Sequence, residues 1–142
     1  MAARRVTIRL IHDGAQPGAP LDEALRFGLQ DKAGEVHAGE ARPDGVRRFD
    51  AVLEVKGADR GAPPVFGGAF AQGSPEARFL YLSWKRPAGA AAPYGWRIKV
   101  PLAGVGWDQV EAAEAAGACL ETDVRGRRPH ETTAIVWRLA RI

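Results

Sequence analysis

The chain has 142 residues and a mass of 15.2 kDa, with 46% hydrophobic residues, 26% charged residues and a formal net charge of +3. That length suits a single domain, and the composition excludes collagen, coiled coil and wholesale disorder. No apolar run approaches the roughly 18 residues of a membrane-spanning helix.

In chain order, Val6, Ile8 and Leu10 alternate with Thr7 and Arg9, which predicts a half-buried strand over residues 6–11. The stretch HDGAQPGAP (residues 12–20) reads as a loop, and weak segments at 25–30 and 35–40 flank the turn-like Asp31-Lys32-Ala33-Gly34. Pro43-Asp44-Gly45 is a stronger turn. It leads into residues 48–55, where Phe49, Ala51, Leu53 and Val55 oppose Arg48, Asp50 and Glu54, so a hairpin of 35–41 with 47–56 is expected. Residues 57–77 form a long Gly/Pro-rich loop in which Phe66 and Phe70 suggest packing. Residues 78–84 are apolar at both parities, as in a strand covered on both faces. A second Gly/Pro-rich loop spans 86–95, after which Trp96, Ile98, Val100 and Leu102 alternate with Arg97 and Lys99. WDQVEAAEAA (residues 107–116) predicts a helix with early acids that ends at Gly117. Strands over 118–124 and 133–141 complete the chain, with Ile135, Trp137 and Leu139 facing one way. The expectation is one mainly β domain, residues 1–142: an antiparallel β-sandwich or small barrel of six to eight strands with one short α-helix at about 107–116.

Three separated landmarks then carry a resemblance: FGLQ (Phe27–Gln30), FAQG (Phe70–Gly73) with RFLYL (Arg78–Leu82), and RIKVPLAGVGW (Arg97–Trp107). In this order they resemble a family of small bacterial proteins of unknown function, from the first strand to about Val124. The resemblance implies a shared fold and no established activity; residues 87–93 and 125–133 match none of its landmarks.

The chemistry-bearing residues form no known motif. His12, His37 and His130 are far apart without a metal-ligand spacing, so no metal and no cofactor is expected. Cys119 lies in the alternating run ACLETDV and reads as a small buried hydrophobe. Ser74 and Ser83 lack a nucleophile-elbow context. The glycines of 67–73 lead toward a strand rather than a helix, and those of 102–106 precede a helix whose Asp108 and Glu111 oppose an anion. The carboxylate pairs Asp50/Glu54 and Glu121/Asp123 read as solvated strand faces.

The aromatic residues around the two loops are the most informative set. Phe66, Phe70, Tyr81, Trp84, Tyr94 and Trp96, with Gln72 and Arg78, are the candidate ligand-binding residues. The competing reading places Phe79, Tyr81 and Trp96 in the core, with the loop aromatics closing its end. A non-enzymatic module binding a small ligand or a protein is favoured. The alternative is a small cofactor-independent enzyme with an aromatic-lined cleft, using acid–base or electrostatic catalysis through groups such as Arg78, Arg97 or Glu121. A homodimer remains open. Basic and acidic residues are interleaved along the chain, which argues against a nucleic-acid partner, since phosphate tracking needs basic residues gathered on one face. Even the local basic run Arg125, Arg127 and Arg128 is attributed to arginine-rich residue usage. A lone cysteine and the lack of a signal-peptide pattern after Met1 predict the cytoplasm, and no membrane partner is expected.

Overall fold

The computed structural model describes residues 4–13, 28–41, 46–57, 61–73, 78–85, 94–124 and 135–142. In chain order the described strands are β1 (Arg4–Asp13), β2 (Gly28–Gln30), β3 (Val36–Ala38), β4 (Glu40–Ala41), β5 (Val46–Lys56), β6 (Val65–Gly67), β7 (Ala71–Gln72), β8 (Phe79–Lys85), β9 (Tyr94–Pro101), β10 (Ala118–Asp123) and β11 (Arg138–Arg141). One helix, α1 (Trp107–Ala116), stands between β9 and β10.

The described strands form two open sheets and no closed barrel. The first has the order β11-β10-β1-β5-β4, with β6 also on β5. Its spine is the antiparallel pair β1–β5, in unbroken register from Arg4↔Val55 to Asp13↔Val46. Alternation then puts Val6, Ile8 and Leu10 beside Leu53, Ala51 and Phe49 on one face, all buried. The other edge of β1 pairs in parallel with β10, from Ile8↔Leu120 to Ile11↔Asp123, where the sequence suggested antiparallel pairing throughout. A parallel neighbour requires a long crossover, and here the whole second sheet and α1 lie between the two strands in the chain.

The second sheet has the order β3-β2-β8-β7, with β9 along the opposite edge of β8. Leu29, Leu80, Leu82 and Val100 face the first sheet and are buried with its inner residues in a single core. Helix α1 adds Trp107, Val110 and Ala113 to that core. Gln109 folds back so that its Oε1 accepts the Gly106 N–H at 2.9 Å, and Gly117 ends the helix in the left-handed region at φ 60°. Arg4 ties α1 to β1 through Glu114 at 3.0 Å, with its guanidinium 4.8 Å from the Trp107 ring.

The expected hairpin of 35–41 with 47–56 is only partly present. Glu40 and Ala41 pair with Arg48 and Arg47, but Val36–Ala38 belongs to the second sheet, paired with β2. The chain therefore passes from one sheet to the other at Gly39, and passes back between β6 and β7. These crossings make short strands, below the length at which a period-2 pattern is visible. They also explain why eleven strands stand where the pattern suggested fewer.

The second crossing depends on a close approach at Gly73, where an added Cβ would overlap the Phe66 carbonyl oxygen and lie 2.9 Å from Val65 Cγ1. Gly67, in the same region, has nothing within 4 Å of that position. Gly73→Ala should lower stability by at least ~2 kcal/mol through backbone displacement, whereas Gly67→Ala should change it by less than about 1 kcal/mol. Urea denaturation of the two variants checks this, and equal midpoints would contradict the close approach.

Candidate functional site

Of the predicted ligand residues whose side chains are described, the structure buries Phe66, Phe70 and Arg78 and sets Gln72 and Tyr81 on the outer face. Phe66 and Phe70 are buried in the core, so the loop aromatics do close the sandwich. Phe70 contacts Phe49 edge-on at 5.2 Å between ring centroids. Tyr81 and Phe79, by contrast, stand half-buried on the outer face of β8, opposite Lys99 and Pro101, and therefore do not fill the core as the competing reading had them. Gln72 is exposed opposite Phe79. Trp84, Tyr94 and Trp96 belong to β8 and β9, and their side chains lie outside the described residues, as do residues 58–60, 74–77 and 86–93 of the two loops. His130 and the cluster of Arg125, Arg127 and Arg128 also fall outside them.

Arg78 is the anomaly. It directly precedes β8, and its even parity with Leu80 and Leu82 turns it inward, leaving it 6% exposed. Its Nη1 donates to the Pro64 carbonyl oxygen at 2.5 Å, and the guanidinium carbon lies 6.0 Å from the centre of the Phe66 ring. Nε is buried and has no acceptor. No carboxylate of the described residues forms an ion pair with Arg78, and burial pushes its pKa down from the ordinary value. Arginine stays protonated even so. An ionised group out of water is costly unless paired. Nearby, Trp107 Nε1 donates to the Ala62 carbonyl oxygen at 2.6 Å, which shows that a neutral donor suffices to hold this backbone.

The second polar feature is the turn joining β2 to β3. Asp31 Oδ1 accepts the N–H groups of Ala33 at 2.8 Å and Glu35 at 3.1 Å, and Oδ2 lies 2.9 Å from His37 Nε2. The His37 ring rests on Phe70, 4.8 Å between centroids. Sequence reading missed this pair; its one signal was the turn-forming run Asp31–Gly34, which brings positions six apart together across a hairpin. Ligand atoms of Asp31, Glu35 and His37 lie within 4.8 Å of one another, so these are the residues among those described that could approach one cation. Asp31 Oδ1 is already occupied by two backbone donors, so the present geometry is that of a locked turn.

Burial by itself raises the Asp31 carboxyl, but the His37 hydrogen bond and the two backbone donors more than offset it and hold the group below its ordinary value. Cys119 is fully buried, and burial pushes its thiol up, which disfavours a nucleophilic thiolate. The carboxylates Asp50 and Glu121 are engaged by Arg9 at 2.8 Å and Arg138 at 3.0 Å.

With this geometry in place, the comparison with known families has a clear outcome: the family described as "Family of unknown function (DUF5990)" matches residues 6–136. The chain belongs to DUF5990. No curated protein and no solved structure matches it. The DUF5990 span takes in Arg78, Asp31 and His37, both sheets up to β10, and α1; only β11 among the described strands lies beyond it.

Because the folded-state pKa of Asp31 is depressed, its contribution to stability is present above the unfolded value of about 3.9 and is lost as pH falls through the folded value. Asp31→Asn should therefore be less stable than the parent at pH 7 and should lose less stability between about pH 5 and pH 2. Denaturation midpoints across that range measure it, and parallel curves for the two proteins would exclude the assignment.

Proposed function

We propose that this protein is a non-enzymatic binding module for a small molecule carrying a carboxylate or phosphate, which Arg78 receives where residues 61–66 meet the start of β8. The reading rests on one observation: a buried guanidinium with an unused donor and no carboxylate partner among the described residues. A planar guanidinium offers a fork matched to both kinds of oxyanion. The Phe66 ring beside it and the backbone of Pro64 behind it provide an apolar wall and a fixed orientation. Arg78 and Phe66 were both candidates from sequence; Phe70 contributes through the core instead.

The acid–base enzyme is the second reading, and the Asp31–His37 pair favours it, because a buried carboxylate that holds an imidazole also sets its tautomer and direction. Binding is placed ahead because no hydroxyl or thiol nucleophile among the described residues is hydrogen-bonded to that imidazole. An imidazole resonance of His37 that moved on ligand addition, followed by NMR, would bring the enzyme reading forward.

Arg78→Met keeps the length and apolar stem while removing the charge. In the absence of ligand it should leave the melting temperature unchanged or raise it, since a buried charge with no carboxylate partner among the described residues is relieved. The parent should gain stability in a panel of small carboxylates and phosphates, and the variant should not. A lower melting temperature for Arg78→Met, together with no response of the parent to any anion, would make Arg78 a latch for Pro64 and end the proposal.

A further inference from the structure

The two sheets differ in charge in a way the linear order conceals. The first sheet mixes signs: Asp50, Arg9, Glu121 and Arg138 fall in register across β5, β1, β10 and β11 and neutralise one another in pairs. The second sheet carries no aspartate or glutamate in any of its five strands. Lys85, Arg97 and Lys99 are its charged residues, apart from His37.

Its outer face also displays aromatic rings. Phe79 and Tyr81 are two apart on β8, which spaces same-face residues by roughly 7 Å, and their ring centroids are 6.1 Å apart. Lys99, exposed and opposite Tyr81, places Nζ 3.6 Å from the Phe79 centroid and 5.7 Å from that of Tyr81. Gln72 opposite Phe79, and Gln30 and Ser83 opposite each other, surround the rings with neutral hydrogen-bonding groups. We infer that this face binds single-stranded nucleic acid, with bases stacking on Phe79 and Tyr81 and a phosphate meeting Lys99.

Each component answers a requirement of such a surface. Stacking on aromatic side chains tolerates any base, because every base has a π face. The backbone needs a cation free of competing carboxylates, and Lys99 stands exposed in a sheet whose strands hold none. The Lys99 ammonium covers the Phe79 ring in the unliganded protein, and its four-carbon stem lets it turn aside to a phosphate while the ring takes a base. A duplex fits less well, since its bases are stacked on one another and closed to the rings. The charge complementarity selects a polyanion over a second copy of this chain, whose matching face would bring like charges together.

The test is fluorescence anisotropy of the full chain with a labelled oligothymidylate of about 20 nucleotides at roughly 50 mM salt. Binding should weaken steeply as salt rises. Tyr81→Ala should reduce affinity about tenfold with the salt slope unchanged. Lys99→Gln should lower the slope by roughly 0.7, the share of one phosphate on a single strand. Tyr81→Leu, which keeps the apolar cover over the sheet, repeats the stacking test if Tyr81→Ala melts without cooperativity. Val52→Ala, at an exposed position of the first sheet, should bind as the parent does. Absence of binding at low salt would overturn the inference. So would equal affinity for duplex, equal losses in the Tyr81 and Val52 variants, or a stable dimer in sedimentation that excludes the oligonucleotide.

Discussion

The rest of the molecule hangs on the ten-residue ladder between β1 and β5. It is the longest pairing in the structure, and its inner face alone contributes Val6, Ile8, Leu10, Phe49, Ala51, Leu53 and Val55 to the core. Because strand side chains alternate strictly, a slip of one residue would turn the inner set of the slipping strand to solvent and carry its outer residues inward, Arg9 on β1 or Asp50 and Glu54 on β5. The bidentate pair of Arg9 with Asp50, 2.8 and 3.0 Å, reinforces the same register from the outer face. Arg9 also donates to the Arg141 carbonyl oxygen at 2.9 Å, so this one side chain joins β5, β1 and β11. Burial and ion pairing thus demand the same alignment, which is why the register runs without a break.

The opposite edges of β5 and β8 are built differently. Along β5, β4 covers Arg47 and Arg48 while β6 covers Glu54–Lys56, leaving the middle of the edge between them. Along β8, β7 covers Phe79 and Leu80, while β2 covers Ser83–Lys85. The chain crosses between sheets where these short strands end, and Phe70 and His37 come from those crossings. Irregular backbone near a core exposes polar groups that need partners. Asp31 meets that need for its turn with a carboxylate, and Trp107 meets it for Ala62 with an indole N–H. Arg78 meets it for Pro64 while bringing a charge and a buried donor, Nε, that has no acceptor. That surplus distinguishes it from the other two.

What was legible in the sequence follows element length. β1, β5, β9 and α1 are long enough for their periods to show, and Gly117 marks the helix end because only a left-handed residue suits it. β4 and β7 are two residues each, and no pattern exists at that length. Parallel pairing of β1 with β10 is equally invisible, since it joins positions more than a hundred residues apart. Among site residues, Arg78 was a candidate from the sequence, but its burial required the parity of β8 to be known. Asp31 and His37 were read separately, as a turn residue and as an isolated histidine, because pairing across a hairpin depends on the register of β2 with β3. Tyr81 stood among the candidate ligand residues, with a competing reading that put it and Phe79 in the core; the same parity that buries Leu80 and Leu82 places both outside.

Charge shows the same dependence most sharply. Along the chain, acids sit beside bases almost everywhere, and a count over any window returns a mixed surface. Folding sorts them by sheet: Asp50, Glu54, Glu121 and Asp123 go to one sheet, and the strands of the other receive none. The positive charge of the second sheet is therefore a property of topology, created by which strands pair. The strands of that sheet hold no carboxylate to screen it, and the field of Lys99 acts outward over about a Debye length of solvent. On the first sheet, Arg9 and Arg138 are each paired with a carboxylate across one strand spacing. A protein whose sheets were both merely solvated would have no reason to divide its carboxylates so unevenly. The division, together with the half-buried rings beneath Lys99, is what supports the proposal of an anionic partner at the second sheet.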